Sequence, residues 1–191
     1  MGPPSPFFHA LSGPEIPMLE EIGTERLLLR PLHEKDTPEL TRLANNWKVA
    51  RMLSRMPFPY TRDMAAGWIA RQAAQRTAGA EYCYAIEFEK TFVGTCGLQA
   101  HADGTREIGY WIGEPYWNRG FATEAASALT ERAKARFGAE SIVSGHYADN
   151  HASGRVLTKL GFRYTGEESR WCEARQEKAH CLTMKLMRVE A

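Results

Sequence analysis

Residues 107–125 (EIGYWIGEPYWNRGFATEA) have the residue types and spacing of an anion-binding site. A strand-like run ends in a polar turn, and Asn118, Arg119 and Gly120 then lead into the strongest helical pattern of the chain. The first turn of a helix has unpaired N–H groups and a partial positive charge, which together bind phosphates. Gly120 and Ala122 leave room for a close approach, and Arg119 adds a formal charge. The segment therefore predicts a pyrophosphate site.

The same pattern, taken alone, also fits an ordinary capped helix in which Gly120 is only a turn residue. The segment lacks the Gly-Lys-Ser/Thr ending of a P-loop and the three-glycine fingerprint of dinucleotide sites. Its interpretation depends on the elements that surround it.

Strands and helices alternate on either side of this segment. Strand-like runs occupy residues 24–31, 81–88, 91–98, 106–113, 141–147, 162–166 and 179–189. Helical spacing occupies residues 36–46, a stretch that starts at 61 or 63, and residues 121–137 and 150–160. The strand–helix–strand unit at residues 106–147 requires a crossover, and so a parallel pair. The sequence predicts a mixed α/β fold, with a mainly antiparallel, twisted sheet and flanking helices.

The composition is that of an ordinary globular domain. Of 191 residues, 43% are hydrophobic and 25% are charged, which excludes a disordered or fibrous chain. Lys and Arg number 24 against 23 Asp and Glu, so the near-neutral net charge argues against nucleic acid as a partner. No apolar run approaches the roughly 20 residues of a membrane helix, and the N-terminus lacks a secretory pattern. We therefore expect a cytoplasmic protein with no membrane partner.

The N-terminal residues, the cysteines and the histidines give three further expectations. Residues 1–23 contain five prolines, which predict an extended arm ahead of a domain at residues 24–188. The four cysteines have no paired spacing, so they are expected to be small buried thiols in a reducing compartment. Neither they nor the histidines show ligand spacing, and we expect no metal. The residues concerned are Cys83, Cys96, Cys172, Cys181, His33, His101, His151 and His180.

Three separated runs carry recognisable motifs: residues 117–122 (WNRGFA), residues 150–153 with 159–162 (NHAS and KLGF), and residues 24–32 (TERLLLRPL). Their order resembles that of the GCN5-related N-acetyltransferase (GNAT) superfamily, and within it the ribosomal-protein N-terminal acetyltransferases. Trp117 departs from the superfamily signature Q/R-x-x-G-x-G/A but is similar to the W-G-x-G-Y-A-T-E-A runs of the ribosomal branch. The resemblance covers about residues 24–188.

The resemblance implies a GNAT-like fold whose parallel strands splay apart around acetyl-CoA. The backbone of the first strand is then expected to bond the pantetheine arm, and the amides that open the long helix to hold the pyrophosphate. Asn150 is expected to bond the pantetheine from the other side, and Lys159 or Arg155 to meet the outer phosphate. The implied cofactor-binding residues are Tyr110, Ile112, Asn118, Arg119, Gly120, Phe121, Ala122, Thr123, Asn150, Ser153 and Lys159.

The resemblance also implies the chemistry of acetyl transfer. The amine must lose a proton before attack, and Glu107 is our candidate base, acting directly or through water. Ser153 is our candidate to protonate or orient the leaving thiol, because Leu157 stands where many superfamily members place a tyrosine acid. A backbone N–H near Ile112 is the expected oxyanion donor. The alternatives are a solvent-facing strand glutamate at Glu107 and a purely capping serine at Ser153.

The acceptor is expected to be a primary amine, on a ribosomal or other protein N-terminus or on a small molecule. The region around the second predicted helix roofs the acceptor site in the family, and the connection at residues 51–59 is expected to shape the choice of acceptor. Whether the protein forms a homodimer is left open. One alternative is a non-catalytic acyl-CoA-binding module that senses the ligand or scaffolds a partner. Another is a ribosome- or RNA-associated factor that uses Arg119, Arg132, Lys134 and Arg136 as a basic patch.

Overall fold

The computed structural model describes Met18 and residues 20–187, and their strands form one eight-stranded sheet. The order across the sheet is β1-β2-β3-β4-β5-β6-β8-β7, and only β5 and β6 are parallel neighbours. The strands are β1 (Ile22–Gly23), β2 (Leu27–Pro31), β3 (Glu81–Phe88), β4 (Thr91–Ala100), β5 (Arg106–Ile112), β6 (Ile142–Tyr147), β7 (Phe162–Cys172) and β8 (Glu177–Leu186).

Helices cover both faces of the sheet and create a core on each. On one face, α4 buries Phe121 and Leu129 and α5 buries Leu157 in the larger core. On the other face, α1 buries Leu40 and α3 buries Ala65 against the opposite side of β3 and β4. The helices are α1 (Thr37–Ala44), α2 (Trp47–Ala50), α3 (Arg62–Thr77), α4 (Phe121–Phe137) and α5 (His151–Lys159).

The two parallel strands, β5 and β6, are paired over only a short stretch. Backbone pairing between β5 and β6 is confined to Arg106 with Ile142 and Glu107 with Val143. One residue further along, the Ser144 hydroxyl donates to the Ile108 carbonyl (2.8 Å). Beyond that point β6 pairs only with β8, and a V-shaped gap separates it from β5. The predicted mixed sheet with a splayed parallel pair is confirmed.

The elements differ from the predicted ones at three places. Ile22–Gly23, within the range predicted as an arm, pair with β2, whereas residues 1–17 and 19 lie outside the described part. The helix predicted over residues 36–46 is α1, which ends at Ala44. The Asn46 side chain then accepts from the Lys48 N–H and starts the short α2, beyond the predicted range. β7 continues to Cys172 instead of ending at 166; both of its faces are largely exposed, so it lacks the apolar alternation of a half-buried strand.

A buried ion pair fixes the start of α1 against the sheet. The Arg30 guanidinium donates to both carboxylate oxygens of Asp36 (2.8 Å each) and to Glu87 (2.6 Å). Burial raises the pKa of Asp36, but bonds from Arg30 and the His33 N–H outweigh it and hold that pKa below its ordinary value. Arg30 and Asp36 are each about 5% exposed or less, so both charged groups are shielded from solvent.

Replacing Arg30 with Met is expected to lower the free energy of unfolding by about 3–5 kcal/mol, because it leaves buried carboxylates unpaired. Denaturant unfolding measures it, with Arg42→Met as the control, since Arg42 forms an exposed pair with Glu39 and its loss costs less than about 1 kcal/mol. Because the folded pKa of Asp36 is depressed, its stabilisation is present above about pH 4 and is lost as the pH falls further. Equal losses in the two variants would contradict this account.

Candidate active site

A cleft of about 780 Å³ fills the gap between β5 and β6 and reaches the first turns of α4 and α5. All the residues predicted for the coenzyme and for catalysis line it except Arg119. They are Glu107, Tyr110, Ile112, Asn118, Gly120, Phe121, Ala122, Thr123, Asn150, Ser153 and Lys159. Residues separated by up to 52 positions in the chain thus meet around one opening.

The first turn of α4 is open to ligands because no side chain caps it. Its N-cap is Gly120, which has φ of 79° and no side chain to bond the free amides. Asn118 is also left-handed, with φ of 60°, so the turn needs residues that tolerate this region. A Cβ on Gly120 would lie 3.3 Å from Arg26, which braces the turn by donating to the Arg119 carbonyl (3.0 Å). Gly120 is therefore required by conformation, whereas the Arg26 guanidinium would need to move only slightly to admit a Cβ.

Arg119 does not line the cleft. Its guanidinium stacks on the rings of Phe88 and Phe121, 4.6 and 4.7 Å from their centroids. Cation–π packing of this kind holds the side chain against the end of the sheet. The sequence predicted that the Arg119 charge lies beside the phosphate, whereas in the structure the guanidinium packs on the aromatic rings. The binding of phosphate by the Arg119 amide stays a prediction.

The departure from the family signature at Trp117 has a structural reason. The Trp117 indole N–H donates to the Ile112 carbonyl (2.6 Å), tying the turn back to the end of β5. That carbonyl was predicted to bond the pantetheine arm. One of its two lone pairs is now taken, which leaves the other for a ligand.

Ser153 is bonded on two sides at the start of α5. Its backbone N–H donates to the Asn150 side chain (3.2 Å), so Asn150, rather than Ser153, caps the helix. Its hydroxyl lies 3.0 Å from the Tyr110 hydroxyl, which also lies 3.2 Å from the Ser153 carbonyl. Burial raises the pKa of Tyr110, so its hydroxyl is a neutral donor. The sequence reasoning used only the backbone of Tyr110 and missed this contact.

Glu107 is the centre of a charge cluster and does not face open solvent. One of its carboxylate oxygens accepts from Arg170 (2.5 Å), and the other lies 3.0 Å from Nε2 of His101. Burial lowers the pKa of Arg170, but the carboxylates of Glu107 and Glu168 outweigh this and hold it above its ordinary value. Because Arg170 lies on β7, this ion pair connects β5 to the hairpin that β7 forms with β8.

A second cavity, of about 860 Å³, lies on the α1 and α3 side of the sheet and meets the cleft at β5. A Cβ placed on Gly109 would have no atom within 4 Å, so no neighbouring group covers the strand at this point. The charged walls of the second cavity include three arginines and three glutamates. The two openings share Leu53, Ser54, Glu107, Gly109, Tyr110, Trp111 and Arg170.

The tip of the β7–β8 hairpin holds the roof segment (residues 51–54), which lines both cavities. Arg175 donates to the Arg51 carbonyl (2.7 Å) and to both carboxylate oxygens of Asp149 (2.9 Å each). Asp149 also bonds the Arg51 guanidinium (2.6 Å), and the Glu173 N–H donates to the Ser54 carbonyl (3.0 Å). Burial raises the pKa of Asp149, but Arg175 and Arg51 hold it below its ordinary value. The sequence predicted strands at residues 162–166 and 179–189 but assigned no element to the tip between them.

The family profile described as an acetyltransferase (GNAT) domain matches residues 26–163, well over half of the chain. The chain belongs to the GNAT acetyltransferase family. The uncharacterized N-acetyltransferase YoaA of Bacillus subtilis is 32% identical to it over 155 residues, which cover 78% of this chain and 86% of YoaA. The prediction of an acetyl-CoA-dependent acetyltransferase is therefore confirmed at the level of the family.

Solved GNAT structures share the fold. The ribosomal L7/L12 alpha-N-protein acetyltransferase RimL in complex with coenzyme A has a TM-score of 0.75 at 18% identity, covering 87% of this chain and 98% of RimL. The microcin C7 self-immunity acetyltransferase MccE in complex with acetyl-CoA and AMP has a TM-score of 0.73 at 18% identity, covering 86% and 94%. As the motif resemblance predicted, ribosomal acetyltransferases are among these neighbours.

The remaining predictions concern cysteines, metals and membranes. All four cysteines of this GNAT chain are free and buried. Among the described residues, no group of three or more His, Cys, Asp or Glu side chains is placed to hold a metal ion. Over the same residues, no helix is long and apolar enough to cross a bilayer.

Replacing Arg175 with Ala is expected to loosen the roof segment, because it removes charge-assisted bonds to Arg51 and Asp149. Hydrogen exchange of the Arg51, Met52 and Leu53 amides, which are bonded back to α2, is expected to accelerate about tenfold or more. Arg163→Ala, at an exposed position on β7, is the control. Unchanged exchange of these amides in the Arg175 variant would show that the hairpin does not hold the roof.

Proposed function

We propose that this protein transfers the acetyl group of acetyl-CoA to a primary amine by direct attack in a ternary complex. The observation that carries the proposal is the meeting of two cavities at Gly109 on β5. One cavity ends at uncapped helix amides, and the other opens on the opposite face of the sheet. A donor and an acceptor can therefore approach the same point of the strand from two sides.

The residues of the cleft fit a coenzyme with a diphosphate. The free amides of Phe121, Ala122 and Thr123 supply donors and the positive end of the α4 dipole. Lys159 adds a cation at the end of α5 on the wall of the cleft. Beyond Ile108, β5 is paired with β4 but not with β6, so its β6-facing edge is available for strand-like bonds to an extended pantetheine arm.

Glu107 and Ser153 are our two candidate catalytic residues, and both line the cleft. Glu107 lines both cavities, and we assign it to take the proton of the attacking amine through water. His101, bonded to its second oxygen, can receive that proton in turn. Ser153 lines only the cleft, where it can donate a hydrogen bond to the departing thiolate. A backbone N–H near Ile112 remains our candidate oxyanion donor.

The acceptor cavity supports an amine on a protein N-terminus or on a small molecule. Its three arginines balance its three glutamates, so the walls give no strongly acidic surface for a polycation. Its volume and its opening to solvent also accommodate the end of a polypeptide. A non-catalytic acyl-CoA module would keep the cleft but would not need the second cavity to join it.

Thermal unfolding with acetyl-CoA, followed by a thiol-release screen with peptides and small amines, tests this function. Ligand at 100 times its dissociation constant is expected to stabilise the native state by about 2.7 kcal/mol. Thiol release that depends on an added amine would support the transferase. Absence of a thermal shift would refute coenzyme binding, and a shift without transfer to any amine would favour the binding module.

Replacing Glu107 with Gln is expected to lower kcat by about 10²–10⁴-fold with unchanged binding of acetyl-CoA, because the amide cannot accept the proton of the amine. The change preserves shape and an oxygen for Arg170. Glu168→Gln is the matched control, since Glu168 bonds the same Arg170 but lines neither cavity. Steady-state kinetics with the best amine measure the effect, and comparable rates in the two variants would remove Glu107 from this role.

A further inference from the structure

The Tyr110–Ser153 contact joins two residues of the cleft that lie on different elements. Tyr110 lies on β5 just beyond the point where the strand leaves β6, and Ser153 lies in the first turn of α5. The Tyr110 hydroxyl is 3.0 Å from the Ser153 hydroxyl and 3.2 Å from the Ser153 carbonyl. Both residues line the cleft.

The donors and acceptors of this contact allow two arrangements. A carbonyl only accepts, so in the first the Tyr110 O–H donates to the Ser153 carbonyl and the serine O–H donates to the phenol oxygen. In the second, the Tyr110 O–H donates to the serine oxygen, and the serine O–H is then free for a third group in the cleft. Rotation of two hydroxyls converts one arrangement into the other without moving a heavy atom.

We propose that Tyr110 is a positioning residue that holds the Ser153 hydroxyl in line to donate a hydrogen bond to the thiolate of coenzyme A. The inference rests on the proposed function and adds a residue and a mode of action to it. In the second arrangement, the Tyr110 O–H donates to the serine oxygen, the serine O–H donates to sulfur, and each donor keeps its proton. The leaving thiolate is stabilised by a bonded pair of hydroxyls.

The acidities of the groups explain why the pair donates a hydrogen bond and does not transfer a proton. A free thiol has a pKa of about 8.5. Burial raises the pKa of Tyr110 far above that value, so a thiolate cannot remove its proton. Polarised hydroxyls in a water-poor site still stabilise a neighbouring anion, because hydrogen bonds to a charged acceptor are the stronger kind.

The thiol pKa of bound coenzyme A, followed by the ultraviolet absorbance of the thiolate, tests the proposal without an acceptor. In the wild type we expect this pKa to be lowered from about 8.5. Tyr110→Phe is expected to raise it by about one unit relative to the wild type, with coenzyme affinity at neutral pH changed less than threefold. Ser153→Ala is expected to cause the same shift, and the double variant no further shift, because the two hydroxyls act as one unit.

Tyr164→Phe is the matched control. Tyr164 packs against the same helix turn, but its hydroxyl bonds His146 (3.1 Å) and does not line the cleft. Other titratable groups face the pair or the cleft. They are Lys48 on α2, Cys96 on β4, Glu107 on β5, Tyr116 in the turn before α4, His146 and Tyr147 on β6, Asp149 in the following turn, His151, Arg155 and Lys159 on α5, Arg170 on β7, and Cys181 on β8. They are identical in all variants, so the comparison isolates the two hydroxyls.

The outcomes separate this inference from the proposed function. A wild type that binds no coenzyme A would overturn the function itself. Binding with an unshifted thiol pKa, or shifts of Tyr110→Phe and Ser153→Ala that add in the double variant, would overturn only the inference. If Tyr110→Phe fails to fold, Ser153→Ala alone tests the inference. A thiol pKa in that variant equal to that of the wild type would show that the Ser153 hydroxyl does not stabilise the thiolate, and would overturn the inference.

Discussion

The site depends on one constraint: β5 and β6 are parallel neighbours that stop pairing after Glu107 and Val143. Beyond that point no backbone hydrogen bond joins the two strands, although the Ser144 side chain still donates to the Ile108 carbonyl. Buried unpaired backbone groups are costly in a folded protein. A gap lined with such groups favours a ligand that can pair with a strand. The parting of two strands therefore both opens the cleft and provides its binding groups.

Side-chain contacts fix the elements on either side of the gap relative to one another. Tyr110 reaches Ser153 on α5. Arg170 of β7 reaches Glu107 of β5, and the hairpin tip holds the roof segment through Arg175. The Tyr110 and Glu107 contacts join β5 to elements that follow β6 in the chain, and the Arg175 contact joins the hairpin to the roof segment. The β7–β8 hairpin, of which the sequence predicted only residues 162–166 and 179–189 as strands, thus contributes to both cavities through Arg170.

Much of the fold could be predicted because local patterns encode it. Apolar spacing located the long helix α4, and the β5–α4–β6 order required a parallel pair. The coenzyme-side residues could be predicted because they cluster in short motifs at a helix start. The Arg30–Asp36–Glu87 ion pair and the extension of β7 could not, because they depend on partners distant in the chain or on a strand with two exposed faces.

The sequence by itself determined the family, the sheet with its flanking helices and the open turn at Gly120, since each depends on neighbouring residues. Only the tertiary structure decided how the charged and polar side chains are used. Arg119 packs on aromatic rings, Glu107 is bonded to Arg170 and His101, and Tyr110 meets Ser153. The physical reason is that a side chain's partner is set by which strands and helices converge in space, which periodicity and spacing along the chain do not record.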